Sequence, residues 1–157
     1  MSKKSSYIAS KGALSLYGGF FKAVAQDIGL EKALALHENL WKSMGAASVT
    51  ALKEKLGRRK VNLAAWQSIE EKFCEDLGFT AEFKKQGSTL TVKTLECPIY
   101  AGFKEAGLDH GTIESMCNKM ADAVYGEAKR EFPQLSGSLK FRDTPDKACV
   151  EQFVLLK

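Results

Sequence analysis

The spacing of apolar residues changes at Phe79, and that change most narrows the folds open to this chain. Before it, apolar residues recur three and four apart: Leu14, Tyr17, Phe21, Val24 and Ile28, then Trp41, Met44, Val49, Leu52 and Leu56, then Leu63, Trp66, Ile69, Phe73 and Leu77. Such spacing puts them on one face of an α-helix. The pattern predicts helices over 7–28, 30–56 and 61–77, with Gly29 and Gly78 as stops and Gly45 as a break in the second. From Phe79 the period is two: Phe79, Ala81 and Phe83 alternate with polar residues. Gln86-Gly87-Ser88 then supplies a turn, and Leu90 and Val92 resume the alternation, so 79–96 reads as a hairpin.

Helical spacing returns after Cys97. Pro98 suits a first helical turn, where its missing N–H costs nothing, and Gly107 closes a short helix. Asp109 is a natural N-cap for the next, which runs from His110 or Thr112 to Glu131 with Ile113, Met116, Cys117, Met120, Val124 and Ala128 inward. A turn at Gly137, a strand at Leu139 and Phe141, a loop at Thr144-Pro145-Asp146 and a strand over 149–156 complete the chain. On that last strand Cys149, Glu151, Phe153 and Leu155 share one face. Three helices, a hairpin, two helices and a second hairpin specify an α+β fold, a four-stranded antiparallel sheet with about five helices packed on it. The expected organisation is one domain over 1–157, with a helical half at 1–78 and the mixed half at 79–157.

With 157 residues, 45% of them hydrophobic and 27% charged, the chain suffices for one core. Its 23 basic and 19 acidic residues leave a net charge of +4 with the signs interleaved, too mild for a nucleic-acid surface. The densest basic run, Lys53, Lys55, Arg58, Arg59 and Lys60, reads as a solvated loop between helices. No apolar run is long enough to span a bilayer, and Lys11, Gly12 and Gly18-Gly19 interrupt any signal-peptide core. The expected setting is the cytoplasm, where the four cysteines are free or metal-bound rather than paired.

Cys97, Cys117 and Cys149, with His110 and Glu114 nearby, form the main chemical constellation. On a helix His110, Glu114 and Cys117 share a face, and thiolates with imidazole or carboxylate are the ligands zinc prefers. No CxxC knuckle is present, so spacing alone leaves core packing and a metal or reactive site both open. Cys74 reads as a core residue. His37 and Trp41, one helical turn apart, either line a pocket or pack with Trp41 inside and His37 at its edge. Tyr100 and Tyr125 present a hydroxyl inward or simply pack. No phosphate loop, nucleophile elbow or HExxH is present.

The segments GLEKALALHENLW (29–41), ECPIYAGFKEAGLD (96–109), Cys117 and RDTPDKACVEQFVL (142–155) resemble the L-2-amino-thiazoline-4-carboxylic acid hydrolase-like family and, more distantly, the 4-vinyl reductase small-molecule-binding domains. The resemblance implies a pocket between sheet and helices. In the hydrolase-like case a zinc held by Cys97, Cys117 and Cys149 activates water, with Glu114 or His110 moving protons. Otherwise the domain binds a hydrophobic or aromatic small molecule, around a structural zinc or none. Ligand contacts are then expected from His37, Trp41, Tyr100 and Tyr125, and a homodimer is an expected assembly. The loop Arg142-Asp143-Thr144-Pro145-Asp146 lacks the glycine-aspartate step and the preceding cysteine expected of 4-vinyl reductase relatives.

Overall fold

The computed structural model describes residues 2–57 and 60–156, so Arg58 and Arg59 of the basic run lie outside the described residues. The element order is α1 Lys3–Ile28, α2 Leu30–Leu56, α3 Leu63–Leu77, β1 Thr80–Gln86, β2 Thr89–Glu96, α4 Pro98–Glu105, α5 His110–Glu131, β3 Leu135–Lys140 and β4 Cys149–Leu155. This is the α+β arrangement read from the periodicity, and the local signals behave as chemistry requires. Asn62 caps α3 by accepting from the Ala65 N–H at 2.9 Å, and Asp109 caps α5 by accepting from the Thr112 N–H at 2.9 Å. Gly78 ends α3 at φ +81°, in the left-handed region.

The sheet is antiparallel throughout, in the order β1-β2-β4-β3. The central pair is β2 and β4, which belong to different hairpins, and Thr94 near the end of β2 stands opposite Cys149 at the start of β4. Leu90, Val92, Thr94, Cys149 and Phe153 are buried on the inner face, while Lys93 and Gln152 are exposed. One face of the sheet therefore meets the helices and the other meets solvent. Two buried clusters result. One joins α1, α4 and the first half of α5 around Phe103, Ile113 and Met116. The other joins the end of α2, α3 and the sheet around Leu52, Trp66, Leu90 and Phe153.

Two glycines depart from the sequence reading. Gly45 does not break α2, which is continuous to Leu56. A Cβ there would lie 2.9 Å from the Cα of Val124, so the glycine lets α2 and α5 pack backbone to backbone. Gly137 is not a turn: β3 begins at Leu135, and Gly137 lies within it opposite Phe153. A Cβ on it would come 2.7 Å from the Tyr125 ring, so the missing side chain is the space the ring occupies.

Candidate functional site

A cavity of about 180 Å³ lies where the two buried clusters meet. Its sheet wall includes Thr94, Cys149, Glu151 and Leu139, with Cys97 at the end of β2. Across from it α5 contributes Cys117, Met120, Val124 and Tyr125. Trp41, Met44 and Ser48 from α2, and Trp66, Ile69, Glu70 and Phe73 from α3, close the rest. The wall is mostly carbon, so its polar groups stand out.

All three candidate cysteines reach this cavity: pairing β2 with β4 brings Cys149 beside the β2 terminus, and α5 carries Cys117 to the cavity's other side. Their thiols are not alike. Cys97 caps α4, its Sγ accepting from the Tyr100 N–H at 3.3 Å, and burial pushes it up to about 12. Burial also pushes Cys117 well above the ordinary thiol value. Cys149 Sγ instead accepts from Arg142 Nε at 3.4 Å. Among the described residues no group of three or more His, Cys, Asp or Glu side chains is placed to hold a metal ion. A guanidinium against one sulfur also sets a positive charge where a cation would have to sit. The residues thus do not fit the expected zinc: the three thiols line one cavity without forming a coordination sphere.

The other expected residues divide. Trp41 and Tyr125 line the cavity. His37 does not, nor does it lie at an edge: it is 2% exposed. Its Nε2 meets the Met116 carbonyl at 3.0 Å and so donates to it, which leaves Nδ1 to accept from the Tyr17 hydroxyl at 2.7 Å. His37 is therefore a strut joining α1, α2 and α5, and burial lowers it below the usual imidazole range. Tyr100 is buried and shares a hydrogen bond with His110 Nδ1 at 3.1 Å, and the His110 ring also packs on Phe141. Glu114 is exposed, and neither it nor His110 lines the cavity. Cys74 is buried outside it.

The sequence reading passed over Glu70 and Glu151, which bring two carboxyl groups to the cavity from α3 and β4. Burial raises Glu70 well above the usual carboxyl range and the nearby Glu151 raises it further. Burial raises Glu151 as well, against the pull of the Tyr125 hydroxyl that donates to its Oε2. The Trp66 indole N–H faces Glu70 and favours its charged form, without closing a hydrogen bond of good geometry. Both residues are partly exposed and both line the cavity. One signal for Glu151 was present in the sequence: it occupies an apolar position in the alternation Cys149, Glu151, Phe153. Glu70 lies beside Glu71 in a charged helical stretch and carries no such mark.

A family model described as L-2-amino-thiazoline-4-carboxylic acid hydrolase matches residues 9–142. Cys149 and Glu151 lie beyond that match. Among solved structures, the chain is similar to the crystal structure of a trafficking protein particle complex subunit 3 from Naegleria fowleri covalently bound to palmitic acid, with a TM-score of 0.59, 15% identity and 96% of each chain covered. At that identity the likeness concerns the fold alone. No curated protein matches the chain.

Proposed function

Because the chain belongs to the L-2-amino-thiazoline-4-carboxylic acid hydrolase family, we propose that its cavity binds a small heterocycle and opens the ring by adding water. The observation that carries this reading is the pair Glu70 and Glu151 beside Tyr125 in an otherwise apolar cavity. Two carboxyl groups in such surroundings do not both ionise readily, so one keeps a proton that the other lacks. The ionised partner takes a proton from water as it attacks the ring carbon between nitrogen and sulfur. The protonated partner gives its proton to the departing ring atom, and Tyr125 holds Glu151 in place. If the carbon–sulfur bond is the one that breaks, each turnover frees one thiol.

The test is incubation with 2-amino-thiazoline-4-carboxylic acid, following release of a free thiol. Glu70→Gln and Glu151→Gln should each slow it by about 10²-fold or more, the usual weight of a general acid or base. No turnover by the wild-type protein, or full activity in both variants, would sink the proposal. The second reading, binding of a hydrophobic small molecule without catalysis, draws support from the largely carbon wall and from the fold neighbour that carries palmitic acid. Solvent extraction of the purified protein followed by mass spectrometry distinguishes the two: a co-purifying apolar molecule, with no turnover of the heterocycle, favours binding alone.

A further inference from the structure

Among the described residues Arg142 is the one Lys, Arg, Asp or Glu that is buried, at 6% exposed. It lies in the loop between β3 and β4. Its Nη1 donates to the Pro145 carbonyl at 3.2 Å, its Cζ lies 4.5 Å from the centre of the Tyr100 ring, and its Nη2 is buried with no hydrogen-bond partner. No carboxylate pairs with it among the described residues. A guanidinium keeps its charge in a protein interior, and leaving that charge uncompensated there is costly. The remaining partner is Cys149 Sγ, 3.4 Å from Nε. Cys149 also lines the cavity.

We infer that Cys149 is the reactive thiol of the cavity, held by Arg142 and presented to a small carbon electrophile that bears a leaving group. A thiol beside a buried cation is the setting in which cysteine acts as a nucleophile. Arg142 also acts electrostatically on the other two thiols that line the cavity, but among the described residues the guanidinium donates a hydrogen bond to Cys149 alone of the three: Cys97 is occupied as the cap of α4, and Cys117 sits on the buried face of α5. In the reaction the Cys149 sulfur forms a bond to the electrophilic carbon, the leaving group departs with its bonding pair, and the thiol proton goes to solvent. Arg142 acts as a positioning residue because it touches the sulfur and not the electrophile. The inference goes beyond the ring-opening reading, which assigns no sulfur nucleophile, and its test needs no heterocycle, so the two can fail separately.

Iodoacetamide is a suitable probe: a carbon–sulfur bond forms and iodide leaves. The folded protein is treated with substoichiometric reagent and the modified cysteine identified by peptide mass spectrometry. Cys149 should take the first label, ahead of Cys74, Cys97 and Cys117. Arg142→Gln should slow labelling of Cys149 at least about tenfold without speeding the other three, and Arg142→Lys should restore part of the rate. General loosening of the fold would instead speed labelling at all four positions, which separates positioning from structural support. Should Arg142→Gln fail to fold, the wild-type labelling order and Arg142→Lys still decide. A first label on another cysteine, an unlabelled Cys149 in the folded protein, or a folded Arg142→Gln labelled at Cys149 at the wild-type rate would overturn the inference.

Discussion

His37 and the Glu70–Glu151 pair make opposite demands on pH. Burial holds His37 below its ordinary value of 6.5, so its contribution to stability is present above about that pH and is lost as pH falls through the lowered value. Burial holds both carboxyl groups above their ordinary 4.5, so their protonated forms favour the fold at low pH and that contribution is lost as pH rises through the raised values. His37→Phe removes the acid-sensitive group but leaves the Met116 carbonyl and the Tyr17 hydroxyl without their partner. It should cost about 1–3 kcal/mol near neutral pH, with the deficit narrowing in acid. Glu151→Gln removes a carboxyl that resists ionisation, so its stability relative to wild type should rise as pH increases. Urea unfolding from about pH 4 to 9 reads both. Stability curves that stay parallel to wild type would contradict the assignments.

At the scale of elements, the helices and the first hairpin were legible because each carries its own period, cap and stop. Gly45 and Gly137 were misread for a shared reason: a glycine that ends an element and one that admits a neighbour look the same in sequence. The neighbours, Val124 on α5 and the Tyr125 ring, come from distant segments. Substitution separates the two kinds of glycine. Gly45→Ala should destabilise the protein by about 1–3 kcal/mol, because the new methyl group pushes α2 from α5. Gly19→Ala, in α1 with nothing within 4 Å of the added carbon, should stabilise by about 1 kcal/mol, the ordinary gain in helix propensity. Thermal unfolding of the two variants with opposite signs is the expected result. A neutral Gly45→Ala would mean that the helices separate at little cost.

For the whole molecule, the site was legible only in part. The arrival of Cys97, Cys117 and Cys149 at one cavity followed from element order, since antiparallel pairing of the two hairpins leaves few other places for them. The pairing of Glu70 with Glu151 was not legible, because it depends on how α3 lies over the sheet, and that angle is set by side-chain packing among Trp66, Phe153 and Leu90. The same packing leaves a mostly apolar cavity open at the meeting of two otherwise well-filled clusters. Such space costs contacts that a filled core would make, and the proposed ligand would account for its retention. Ala121 is 5% exposed and lines the cavity. Ala121→Leu would place extra apolar carbon in that space, at about 0.8 kcal/mol per buried methylene before strain. The melting temperature should then rise by several degrees, at about 2–4 °C per kcal/mol for a chain of this size. The same change should abolish turnover of the heterocycle and uptake of any apolar ligand, because it occupies their volume. Calorimetry of Ala121→Leu beside the activity and extraction assays tests this. A variant that melts lower yet keeps its ligand response would show that the space is not reserved for a ligand.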